Sequence, residues 1–112
     1  MASNIPLNSF KTVITNITNS ANTVYTAPPG VTTVVLLAQV SNIDTSTVTV
    51  TAAHRRGANN TRLIANVKIP IQDAGSLLTG KLVLESGDGF SIQADRINAA
   101  ELTLSILETA NA

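Results

Sequence analysis

The sequence predicts an all-β protein: a two-layer antiparallel β-sandwich, jelly-roll-like, of about eight strands. Three observations carry that reading. Aliphatic residues alternate with threonine or other polar residues at period two in four separate stretches, the pattern of strands buried on one face. Clusters of Gly, Pro, Asn, Asp and Ser separate them at intervals of roughly 8–12 residues, the spacing of sandwich strands. Hydrophobic residues make up 44 % of the 112 but aromatics only 3 %, so the core is built from Val, Leu, Ile and Ala. Length and composition suit a single domain over residues 1–112, with Met1 to Asn8 as a loose N-terminal arm.

Lys11 to Ile17 and Thr23 to Thr26 read as short early strands. Ala27-Pro28-Pro29-Gly30 then makes a rigid corner, because proline cannot serve a central ladder. Thr33 to Val40 is apolar on both faces at first and then alternates through Leu36, Ala38 and Val40; it is the expected central strand. Past the turn formers Ser41 to Thr45, residues Val48, Val50 and Ala52 alternate with Thr47, Thr49 and Thr51. Branching at Cβ stiffens Val and Thr and favours the pleated backbone here.

Gly57-Ala58-Asn59-Asn60 is a loop, beyond which Leu63, Ala65, Val67 and Ile69 alternate with Ile64, Asn66 and Lys68. Pro70 ends that strand and opens a long connection, and Ile71 to Leu78 admits one helical turn around Gln72-Asp73-Ala74. Lys81 to Leu84 is expected to pair with Phe90 to Ala94 as a hairpin. Glu85-Ser86-Gly87-Asp88-Gly89 would be its tight turn, with two glycines where φ turns positive. Ala99 to Leu107 suits a helix as well as a strand, but the order Leu-Thr-Leu-Ser-Ile favours the strand.

Residues able to do chemistry are sparse, and no catalytic, cofactor or metal site is predicted. The chain has no Cys and one histidine, His54, which stands beside Arg55 and Arg56 and reads as an exposed loop side chain. The acidic residues lack the spacing of a calcium loop, and Asp88 reads as a turn residue and nothing more. Glu85, Asp88, Asp95, Glu101 and Glu108 are the candidates for a carboxylate pair of the glycosidase kind, without the aromatic platforms such sites use. Gly87-Asp88-Gly89 lacks the third glycine and following helix of a dinucleotide fingerprint. Asn16-Ile17-Thr18 and Asn59-Asn60-Thr61 match the glycosylation sequon by chance in an Asn- and Thr-rich chain.

Charge points the same way. Charged residues are only 12 % and formally cancel, so no long-range field gathers nucleic acid or an anionic membrane surface. Zero net charge also removes the repulsion that keeps free monomers apart, which suits a protein packed among neighbours. No basic-plus-apolar start marks a signal peptide, and the longest apolar run, Val34 to Ala38, is far too short to span a bilayer. The one basic concentration, His54-Arg55-Arg56 with Arg62, is either a contact for an acidic patch on a partner or a solvated hairpin tip.

Three stretches together carry a resemblance. They are Val24 to Thr33 running on into Val34 to Asn42, Ile69-Pro70-Ile71 followed by Leu77-Leu78, and Lys81 to Phe90 leading to Leu104 to Glu108. In this order the chain resembles small β-sandwich structural proteins of tailed bacteriophages, including those of cyanobacteria. The resemblance implies a non-enzymatic virion component, made in the host cytoplasm and present in many copies. Within that class it points first to a capsid cement or decoration protein bridging major capsid proteins. Next comes a tail, neck, baseplate or fibre subunit, with receptor or carbohydrate binding as a possible role. Few strands carry inward charges or internal prolines to guard a sheet edge, so at least one edge or the N-terminal arm is expected to be covered by another subunit, a homo-oligomer contact included.

Overall fold

The computed structural model describes residues 8–78 and 80–110. Among them nine strands form two antiparallel sheets: β1 Asn8–Asn16, β2 Asn22–Thr26, β3 Val31–Asn42, β4 Val48–Arg56, β5 Asn59–Ile69, β6 Ala74–Ser76, β7 Leu82–Leu84, β8 Gly89–Ala94 and β9 Ala100–Ala110. The first sheet, A, runs β1-β9-β3-β6, with β7 also on β3; the second, B, runs β2-β8-β4-β5. The expected sandwich is present. Its strand count comes to eight if β6 and β7 are taken as one interrupted edge strand. The expected arm lies outside the described residues except for Asn8, which opens β1.

The alternations place the core as expected. Val48, Val50 and Ala52 of β4, Phe90, Ile92 and Ala94 of β8, and Leu102, Leu104 and Ile106 of β9 are all buried between the sheets. Val35, Ala38 and Val40 of β3 join them, and β3 is central in sheet A, with β9 along one side and β6 and β7 along the other. Ala99 to Leu107 is strand, not helix: its Leu-Thr-Leu-Ser-Ile stretch lies between two long partners, β1 and β3.

Five expectations need correction. Lys81 to Leu84 does not make a hairpin with Phe90 to Ala94, because β7 pairs with β3 while β8 lies in the other sheet between β2 and β4. Both edges of β8 are taken, by β2 on one side and β4 on the other, so none is left for β7. Glu85 to Asp88 therefore spans the gap of about 10 Å between stacked sheets. Of its glycines only Gly87 has positive φ, at 87°; a Cβ on Gly89 would instead meet Thr23 Cγ2 at 2.7 Å.

The strict alternation in β5 fails as well. Val50 pairs with Val67 but Ala52 pairs with Ile64, so the strand gains an extra residue between them, and Asn66 takes a left-handed φ of 54°. Ile64 thus joins Val67 against the core while Ala65 is exposed. Ile71 to Leu78 holds no helical turn. Pro70 to Asp73 is a tight turn closed by the Asp73 amide on the Pro70 carbonyl at 3.2 Å, and it leads directly into β6, so the long connection is absent too.

Candidate interaction surface

Period two in β4 continues past Ala52 to His54 and Arg56, so both side chains leave on the core side of sheet B. There they meet Asp88, which the crossover from β7 turns inward and leaves 3 % exposed. Arg56 donates from Nε to Oδ1 at 2.9 Å and from Nη2 to Oδ2 at 2.7 Å, a bidentate fork. His54 Nε2 donates to Oδ2 at 3.0 Å, and the Glu85 amide donates to the same oxygen at 3.0 Å. Hydrogen bonds from Arg56 hold this carboxyl far below the ordinary carboxylate range, against the opposing pull of burial. The Asp88 backbone also ties in the proline corner, accepting from the Ala27 amide at 2.8 Å.

A second polar group closes the same end of the sandwich. Tyr25 on β2 reaches across to sheet A, where its hydroxyl donates to Glu108 at 2.5 Å and lies 2.8 Å from Thr33 Oγ1. Lys11 on β1 completes it, with Nζ 2.8 Å from Glu108. Lys11 and Tyr25 hold the Glu108 carboxyl below its usual range, while burial and the adjacent carboxylate push the Tyr25 phenol up to about 12. At the opposite end Arg96 Nε donates to Asp44 at 2.6 Å and Nη2 to the Ser46 and Thr47 carbonyls, fastening two loops.

Of the carboxylates singled out in the sequence, Glu85 and Asp88 are brought together, both on Arg56 Nη2 at 3.2 and 2.7 Å, and the others are not. Glu85 and Asp88 stand at one end, Asp95 at the other beside Arg96, and Glu101 is exposed on β9 near the Asp95 end, far along the strand from Glu108. Asp88 and Glu108 are held ionised by cations and carry no proton to give, so neither is placed to act as a general acid. Among the described residues no three of His, Cys, Asp and Glu cluster as metal ligands. His54 is not the exposed loop side chain expected, and Asp88 is more than a turn residue; both are corrected by their burial and mutual hydrogen bond. The basic concentration is split: His54 and the still largely exposed Arg56 turn to Asp88 on the core side, while Arg55 and Arg62 are exposed on the outer side. Carrying the β4 alternation two residues further, and the β9 alternation on to Glu108, is the signal that finds these polar groups.

Apolar exposure, by contrast, is organised. On the outer face of sheet A, Phe10 pairs with Leu107, Leu107 with Val34, and Val34 with Val83. One row of large apolar side chains therefore crosses the sheet from β1 through β9 and β3 to β7. Phe10 is 74 % exposed and Val83 52 %; Ile14, at 73 %, extends the patch along β1. Leu36 and Leu37 add to it where a bulge in β3 interrupts the pairing with β9. Scattered exposed leucines are ordinary, but a row in register across a whole sheet is the character of a surface meant to be covered. Sheet B offers a different outer face. A shallow hollow of about 150 Å³ there is lined by Thr51, Ala53, Arg62, Ser91 and Gln93, with no ring to stack a sugar. On the side where β5 faces β6 and β7, an opening of about 430 Å³ is lined by Leu63, Ile64, Leu77, Leu78 and Leu82.

No protein-family profile matches the chain, and no curated protein matches it. Solved structures do. A chain in the acid-stable capsid of Helicobacter pylori bacteriophage KHP30 superposes with a TM-score of 0.58 at 12 % identity, over 96 % of this chain and 90 % of that one. A chain from Bacillus endospore appendages, which form disulfide-linked pili, gives 0.57 at 8 % identity, over 100 % and 96 %. A looser likeness, 0.46 at 17 % identity over 89 % and 62 %, is to a pentameric capsid protein isolated from metagenomic phage sequences. At these identities what is shared is the fold.

Proposed function

We propose that the protein is a non-enzymatic structural subunit of a virion, and within that class a capsid cement or decoration protein that binds and stabilises a shell of major capsid protein. The apolar row Phe10–Leu107–Val34–Val83 is the observation that carries this reading. It gives a neutral sandwich, without a metal-ligand cluster among its described residues, a broad face for a neighbouring subunit, and many such contacts on a symmetric shell add up. The fold shared with a chain of the KHP30 capsid supports the same reading.

Purified shells lacking the protein provide the test. Added protein is expected to bind them and to raise the temperature at which they rupture. V83K, on the edge of the row furthest from β1, is expected to weaken that binding about ten-fold while leaving the fold intact. Wild-type protein that does not bind shells, or V83K that binds as well as wild type, contradicts the reading.

A tail, neck, baseplate or fibre subunit is the second reading, favoured by the similar likeness to a subunit of pili. Lacking Cys, this chain would have to be held in such a fibre without disulfides. Receptor or carbohydrate binding fits less well, because the lone tyrosine, Tyr25, spends its hydroxyl on the interior network.

A further inference from the structure

Sheet edges expose unpaired backbone groups, and proteins blunt those they leave free. Among the described residues three of the four sheet edges are blunted. β2 is five residues long and its pairing is broken by a bulge; β6 and β7 have three residues each; β5 carries Asn66 at positive φ together with Arg62 and Lys68. The fourth edge, β1, is different. It runs nine residues in unbroken register with β9, without proline, glycine or bulge. Its single charge, Lys11, is already neutralised by Glu108.

The order of residues in β1 says what that edge fits. Asn8-Ser9-Phe10-Lys11-Thr12-Val13-Ile14-Thr15-Asn16 is close to a chemical palindrome about Thr12. Laid antiparallel against a second copy on a two-fold axis at Thr12, Asn8 faces Asn16, Ser9 faces Thr15 and Phe10 faces Ile14, each twice. Only Lys11 and Val13 differ in kind, and Lys11 turns toward its own Glu108. The two most exposed large apolar side chains among the described residues, Phe10 at 74 % and Ile14 at 73 %, become cross-strand neighbours. An isologous contact needs one patch to be complementary to itself, and this strand is.

We propose that β1 pairs with β1 of a second copy of this chain, antiparallel and centred on Thr12, joining the two copies of sheet A into one continuous sheet. The apolar rows of both copies then lie on one face of that sheet. The pairing stands on the strand's own sequence and edge position, whether or not the assembly is a capsid.

Because the protein has no Cys, T12C introduces a single thiol, which the axis would set directly opposite its copy and within reach of a disulfide. Mild oxidation of T12C is expected to give a covalent dimer of twice the 11.6 kDa chain mass. T103C, on the same face but one strand in from the edge, is expected to stay monomeric. In the T12C background, F10K/I14K sets like charges opposite one another and is expected to cut the cross-linking rate about ten-fold, whereas F10K/I14E sets opposite charges together and recovers most of it. Far-UV circular dichroism confirms that each variant is folded. T12C cross-linking no faster than T103C, or the two charge variants behaving alike, overturns the proposal. A monomer that still binds shells would sink this pairing and leave the virion reading standing; a T12C dimer from a protein that ignores shells would do the reverse.

Discussion

Asp88 holds three parts of the chain at one point: the end of β4 through His54 and Arg56, the crossover through the Glu85 amide, and the proline corner through its carbonyl. D88N keeps the shape but removes the charge that the guanidinium fork and the histidine address. A loss of about 2–3 kcal/mol in urea unfolding at pH 7 is expected. Since the folded carboxyl is held below its unfolded value, its contribution is complete above about pH 5 and is lost as pH falls through about 4 and lower. The wild-type and D88N unfolding midpoints should therefore converge toward acid pH; curves that stay parallel would show that the charge is not what matters. Tyr25 bounds the other side. Its phenol is raised to about 12, so the stability it supplies is full below about pH 10 and disappears as pH climbs toward 12. Y25F is expected to cost about 1–2 kcal/mol at neutral pH and to flatten the alkaline limb of the stability curve.

At the scale of the element, most strands were legible because alternation depends on only one variable, which face is wet. β4, β8 and β9 show it plainly, and every aliphatic or Phe residue the pattern set inside them is buried. Pattern alone failed where pairing or backbone geometry intervened. The bulge in β5 shifts Ile64 inward and Ala65 outward, and only the partner strand reveals it. I64A is accordingly expected to lower stability by about 2 kcal/mol, with A65S within about 0.5. Equal costs would restore the unbulged register.

Two glycines after Glu85 suggested a hairpin, yet the partner of β7 is set by long-range packing on β3, which no local residue encodes. Gly89 lies where a Cβ would sit 2.7 Å from Thr23 Cγ2 and 3.3 Å from the Tyr25 carbonyl, so G89A should destabilise by about 1–3 kcal/mol, measured by thermal unfolding. The polar end of the sandwich was hidden for a similar reason. Tyr25 and Glu108 lie 83 positions apart, and His54 and Asp88 34 apart; only the folded chain makes them neighbours.

For the whole molecule, the two outer faces differ in kind. Sheet B presents threonines, the Gln93 amide and the Arg55 and Arg62 side chains to water, and sheet A presents a row of large apolar side chains that water alone serves poorly. With charges that cancel and no reactive cluster among the described residues, the physical asset of this protein is that apolar face. Imaging the protein within intact virus particles tests this most directly. Density for the sandwich is expected with Phe10, Leu107, Val34 and Val83 packed against a different subunit of the particle. Particles in which that face looks onto open solvent, or that do not contain the protein at all, would contradict it.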